Sequence, residues 1–345
     1  MRRLAWLTVA SGFAALIGPA CSDSGSATQT DAAVQQDAAT QDDAAVQQDA
    51  AVQQDTAPQQ DAGPLACADV KAGHNLDFVV DGLGRSFYLD LPTGVTTGGP
   101  YPVVFNWHGL GDTAANMRGL LSGAVNDASF KFILVTPDDS AFQILGNDIN
   151  WDVFNVDAAT NREGLLFDAV LACLKSRYSV DDNRVHSVGF SLGSILTDML
   201  GVIRGDQLAS TLTFSGGYFS DAANKATLGI GASFVTWPDL TTTNKYVQVL
   251  LHGGTTDQFD LAGYLTVHFD TFATNDTTYL GGLGHDVILC DHGQGHAAPV
   301  PGFDAAQIVE FLKAHPRGTA SPWTTALPPD YASLGYCTFH THTNP

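Results

Sequence analysis

Basic residues are scarce in this chain of 345 residues: Lys and Arg number 15 against 36 Asp and Glu, a formal net charge of −21. Residues 22–63 hold no Lys or Arg at all. The eight aspartates of that segment and Arg2 and Arg3 before it account for six of the net negative charges, which leaves the rest of the chain at −15. A surface of that sign repels phosphate backbones, so nucleic acid is not an expected partner, and the charge otherwise serves solubility. A bilayer-length apolar run is also missing. The run at residues 4–17 falls short of the ~20 residues that a spanning helix needs. Metal-ligand spacing is absent too, since His340 and His342 in the tail have no Cys or carboxylate beside them. No metal or organic cofactor is expected.

The short apolar run has another use. It follows Arg2 and Arg3 and leads through Gly18-Pro19-Ala20 into Cys21, the layout of an export signal with a lipobox-like end over residues 1–21. Lipidation of Cys21 would make that anchor the chain's only membrane contact; ordinary cleavage near Ala20 and free secretion is the alternative. Asp31, Asp37, Asp43, Asp49, Asp55 and Asp61 then open six-residue units such as Asp-Ala-Ala-Val-Gln-Gln. Such units have almost nothing to bury and repel along the chain, so residues 22–63 read as a disordered tether rather than a helical rod. The remainder of the chain, residues 64–345, has roughly 280 residues, enough for one large core. Its four cysteines, Cys67, Cys173, Cys290 and Cys337, fit two disulfides in an oxidising compartment, with three possible pairings, or else four buried thiols.

Alternation of short apolar runs with helical patterns sets the fold class. A hairpin is expected at 75–80 and 85–91 around the Asp81-Gly82-Leu83-Gly84 turn. Strands are expected at 102–107, 132–135, 185–189, 211–215, 246–251 and 286–289. Helices are expected at 163–177, 192–203 and 305–314. Continuous apolar strands between helices imply a mostly parallel sheet covered on both faces.

Within that frame, Gly189-Phe190-Ser191-Leu192-Gly193 stands between a strand and a helix. This context makes Ser191 a candidate nucleophile on a sharp turn, with the helix N-terminus favouring a developing negative charge. Trp107-His108-Gly109-Leu110-Gly111 follows an early strand, so the backbone N–H groups of Leu110 and Leu192 are the expected oxyanion donors. The acid should come next. Asp257 closes His252-Gly253-Gly254-Thr255-Thr256-Asp257 past the strand at 247–251, with Asp260 as competitor and Asp270 and Asp276 more remote. Of His268, His285, His292 and His296, the last lies in a Gly-flanked loop before the closing helix and is the expected base; His292 is next, and His285 reads as structural. Trp151, Phe154 and Phe259 are candidates for the pocket lining or for the core.

The strand at 85–92, His108-Gly109, the 181–184 segment leading into Gly189-Phe190-Ser191-Leu192-Gly193, His252-Gly253-Gly254-Thr255-Thr256-Asp257 and Gly295-His296-Ala297-Ala298-Pro299 resemble the polyhydroxybutyrate depolymerase and feruloyl-esterase family of secreted α/β-hydrolases over about residues 72–315. The resemblance implies an α/β-hydrolase fold and hydrolysis of carboxylic esters, often in polyesters or esterified xylan. Two places depart from the pattern. Leu192-Gly193-Ser194 follows the serine where Asn-Gly-Gly is usual, and Asn106-Trp107 replaces a more aliphatic strand end. The expected protein is a monomeric secreted serine ester hydrolase acting on a polymeric ester, either a polyester or an esterified polysaccharide. A feruloyl or acetyl xylan esterase, a serine peptidase of the same fold and a noncatalytic cell-surface binding module are the alternatives.

Overall fold

The computed structural model describes residues 66–341 apart from 145–146, 262–264 and 325. The export signal with Cys21, the tether at 22–63 and His342 lie outside the described residues.

Two strands of alternating polarity, β1 (Gly73–Val80) and β2 (Leu83–Asp90), form the expected hairpin. The apolar runs then become β3 (Tyr101–Trp107), β4 (Ile133–Pro137), β7 (Val180–Phe190), β8 (Ser210–Phe214), β9 (Val247–His252) and β12 (Val287–Asp291). These six lie side by side and parallel. Antiparallel β2 and β1 close one edge, and β13 (Cys337–His340) closes the other. The sheet order β1-β2-β4-β3-β7-β8-β9-β12-β13 is that of the α/β-hydrolase fold with an added edge strand. Two short hairpins stand outside it: β5 (Phe142–Ile144) with β6 (Asn147–Ile149), and β10 (Gln258–Leu261) with β11 (Leu265–His268).

Every residue of β3, β4, β8 and β9 is buried, because helices cover both faces. Strand alternation sorts the side chains between two cores. Val103, Phe105 and Trp107 meet helices α2 (Arg162–Arg177), α3 (Leu192–Arg204) and α5 (Phe269–Gly282). Val104 and Leu134 face Met117 of α1 (Ala114–Arg118), Phe311 of α6 (Ala305–Ala314) and Tyr331 of α7 (Pro329–Ala332). The short α4 (Ala222–Thr227) precedes the crossover into β9. Side-chain caps start these helices where the sequence allows: Asn161 accepts from two amides of α2, and Asp304 with Gln307 builds a capping box on α6.

Several bounds differ from expectation. β7 starts at Val180 rather than 185: Val180 pairs with Tyr101 of β3, and polar Asp181, Asp182 and Asn183 bulge out of register before Val185 pairs with Val103. α5 was not expected, because its Thr- and Asp-rich segment has low intrinsic helix propensity and is helical through packing of Phe269, Phe272 and Leu280. The tail around His340 is not a free end: Cys337 pairs with Cys290, and the strand carrying both Cys337 and His340 lies along β12. The other disulfide joins Cys67 to Cys173 of α2.

Candidate active site

β7 delivers Ser191 on a turn with φ 56° and ψ −121°, a conformation costing about 1–3 kcal/mol for a residue with a Cβ. Neighbouring contacts hold it there. The Ser191 amide donates to Phe214 O at 2.8 Å, and Ser194 Oγ donates to the same carbonyl at 2.7 Å. The flanking glycines are steric requirements. A Cβ on Gly189 would stand 2.2 Å from Gly193 O, and one on Gly193 would stand 2.2 Å from Trp107 O.

Asp257 follows the single turn Gly254–Thr256 at the C-terminal end of β9. It is fully buried, and its two oxygens are used differently. Oδ2 accepts from Ser215 Oγ and from the Gly253 amide, both at 2.8 Å. Oδ1 faces His296 Nδ1 at 2.7 Å. His296 Nε2 lies 2.8 Å from Ser191 Oγ. The imidazole is 28% exposed and sits between Phe190 and Phe269, with ring centroids at 4.9 and 5.1 Å. Its loop is pinned by the Gly295 amide donating to Gly253 O at 3.0 Å, an approach that leaves no room for a side chain on Gly253.

The competing residues are placed elsewhere. Asp260 lies in β10, where Oδ2 accepts from Thr266 Oγ1. Asp270 is in the first turn of α5, and Asp276 is buried on that helix, accepting from the Tyr218 amide and Asn224 Nδ2. Burial holds the Asp276 carboxyl well above the usual range. His268 precedes α5. His285 donates from Nδ1 to Tyr246 O at 3.0 Å, and burial lowers its pKa to about 4. His292 accepts from the Gln294 amide on Nδ1, and burial lowers it as well.

Leu110 and Leu192 line one cavity with Ser191. Leu192 opens α3, where an amide has no acceptor within the helix. The His108-Gly109 loop lies so close that a Cβ on Gly109 would sit 3.2 Å from Ser191 Cβ. Ser191 contributes the one polar side chain among the described residues that line this narrow, partly open cavity. Phe154, Phe219, Phe259 and Phe269 are among its walls, with Ile149 from β6 and Leu265 and Val267 from β11. Phe154 and Phe259 thus sit at the site, but Trp151 does not: it is fully buried in the core, its Nε1 donating to His108 O at 2.8 Å.

Ser215, with φ 60°, is a residue of the site that sequence reasoning treated only as a strand end. Its position at the C-terminal end of β8, on the rim where such sheets gather their sites, was the available signal. Among the described residues no group of His, Cys, Asp or Glu side chains could hold a metal ion, and no helix is long and apolar enough to cross a membrane.

No family model matches the chain. A stretch of 169 residues is 25% identical to feruloyl esterase D of Neurospora crassa, covering 45% of this chain and 53% of that protein. The chain therefore spans about half the length of the curated relative that it matches. Among solved structures, native sOPH superposes with a TM-score of 0.61 at 20% identity, over 80% of this chain and 97% of that one. Native pOPH gives 0.60 at 18% identity, over 82% and 98%. These two likenesses establish the fold.

Proposed function

We propose that the chain is a serine carboxylic ester hydrolase, exported from the cell, whose substrate is a polyester or an esterified polysaccharide. The observation that carries the reading is the line of contacts from Ser191 Oγ through His296 to Asp257, at 2.8 and 2.7 Å. In the proposed reaction His296 Nε2 takes the Ser191 proton as Oγ attacks the ester carbonyl, and Asp257 keeps the other ring proton on Nδ1 and stabilises the imidazolium. The amides of Leu110 and Leu192 receive the oxyanion, a role worth about 2.7–4 kcal/mol per donor. The imidazolium then protonates the departing alcohol, and water, activated by the same ring, releases the acid.

The feruloyl esterase D match supports ester chemistry, and the apolar cavity suits the acyl side of an ester. Two disulfides suit an oxidising compartment outside the cytoplasm, in keeping with the proposed export signal at residues 1–21, lipidation at Cys21 and tether at 22–63 ahead of a catalytic domain at 64–345. Hydrolysis of nitrophenyl esters, polyhydroxybutyrate, and feruloylated and acetylated xylan by the wild type and Ser191→Ala tests the proposal. Ser191→Ala should remain folded and lose nearly all activity. An active Ser191→Ala protein, or cleavage of peptides but no ester, refutes it.

A further inference from the structure

Within the oxyanion loop itself only local contacts hold Gly109, the Asp112 amide donating to Gly109 O at 3.2 Å and the His108 ring reaching the same carbonyl. Gly109 and Gly111 lack side chains, Leu110 faces the cavity, and the Leu110 amide has to stay at one point in space for the proposed chemistry. Both ends of that loop are tied to one short stretch, Asn150-Trp151, directly after Ile149 of the cavity wall. Asn150 Oδ1 accepts from the Gly111 amide at 2.7 Å, the peptide next to Leu110. Trp151 Nε1 donates to His108 O at 2.8 Å, on the other side of it. The Asn150 amide cannot turn over, because its Nδ2 donates to Asp139 Oδ2 at 2.6 Å, so the oxygen must face Gly111. Asp139 Oδ1 reaches back toward His108 Nε2 at 3.8 Å, and the His108 ring meets Gly109 O through Nδ1 at 2.9 Å. Asp139 and Asn150 bracket the β5–β6 hairpin, so the Asp139–Asn150 contact also closes the hairpin's base.

We propose that Asn150 and Trp151 are positioning residues for the oxyanion hole, with Asp139 setting the orientation of Asn150; this rests on the serine-hydrolase reading above. A loop whose two ends are fixed keeps the Leu110 N–H aimed where charge develops, at no reorganisation cost during the reaction. Ground-state binding of the ester depends on the apolar walls and should be indifferent to the clamp. The clamp therefore belongs to kcat rather than KM.

The test uses a short-chain nitrophenyl ester and, as a probe of the tetrahedral state, an alkylboronic acid that adds to Ser191. Asn150→Ala should lower kcat about 10- to 100-fold, the loss expected of an Å-scale misplacement, leave KM within about threefold, and weaken the boronic acid in step with kcat. Asn150→Asp alone, which sets a carboxylate against Asp139, should fall likewise. Asn150→Asp combined with Asp139→Asn restores an acceptor for Gly111 and a donor–acceptor pair at the hairpin base, and should recover most of kcat. Trp151→Phe keeps an aromatic side chain in the buried position, loses the donor, and should also lose kcat before KM. The proposal is overturned if the Asn150 single variants keep wild-type kcat, if the double variant is no better than Asn150→Asp, or if the loss lies in KM with boronic acid affinity intact. Activity that survives Ser191→Ala would instead overturn the hydrolase reading, whereas Ser191-dependent activity indifferent to Asn150 overturns the clamp alone.

Discussion

Replacing Asp257 by Asn is the sharpest single test of the site, because the structure dictates how the new amide must sit. The Oδ2 position receives two donors, Ser215 Oγ and the Gly253 amide, each at 2.8 Å. Only the amide oxygen can accept there, so the NH2 group is forced toward His296 Nδ1. The imidazole must then accept on Nδ1 and carry its proton on Nε2, the atom 2.8 Å from Ser191 Oγ. A protonated Nε2 cannot take the serine proton. The wrong-tautomer effect in serine hydrolases lowers kcat by about 10⁴, and at 1.36 kcal/mol per factor of ten that is about 5 kcal/mol of transition-state stabilisation. Burial is unchanged and the two structural hydrogen bonds survive, so the melting temperature should barely move. Nitrophenyl ester hydrolysis measures the effect, with Asp260→Asn as control: Asp260 bonds Thr266 within its own hairpin and should be replaceable with activity within about twofold, as for surface sites generally. An Asp257→Asn enzyme within tenfold of wild type, or a larger loss from Asp260→Asn, refutes the assignment of the acid and the orientation argument with it.

Gly193→Ala should abolish activity and impair folding, since its Cβ would meet Trp107 O at 2.2 Å, while Gly123→Ala, facing open space, should be silent; a fully active Gly193→Ala protein would contradict the elbow packing. Replacing Cys290 and Cys337 together by Ala opens a loop with a sequence separation of 47 and should cost about 4 kcal/mol by loop entropy, read as a lower denaturant midpoint; an unchanged midpoint would show that the bridge contributes nothing. Burial lowers His186 to about 3 and His315 to about 4, below the unfolded value near 6.5, so the stability contributed by keeping these two rings neutral is complete above about pH 6.5 and should drain away as pH falls toward 3–4. Burial raises Asp198 to about 8, so the folded chain keeps a proton that the unfolded chain releases, and stability should fall as pH rises from about 4 to 8. Thermal melts from pH 3 to 9 should trace both limbs; Asp198→Asn should flatten the alkaline one, and an alkaline limb unaltered by it would exclude Asp198 as the source.

The parts of this protein legible in its sequence are those in which chain order and local physics carry the signal. Gly189-Phe190-Ser191-Leu192-Gly193 reads as an elbow because apolar strand, small-residue turn and helix are contiguous, and each constraint is local. The central parallel sheet reads similarly, since fully buried strands need continuous apolar runs. Strand-end placement likewise pointed to Asp257, and glycine spacing to His296, without excluding Asp260 or His292, which are only 3 and 4 residues away. Tertiary contacts separate them: the Gly253–Gly295 approach brings one imidazole over the elbow and turns its neighbours away. α5 escaped notice because its helicity comes from packing rather than propensity, and the disulfide pairing because no sequence separation encodes which thiols meet. Ser215 and Asn150 were silent for the same reason. Each acts through one hydrogen bond to a residue 42 or 39 positions away, and a contact of that kind has no sequence period; only the folded chain brings its two ends together.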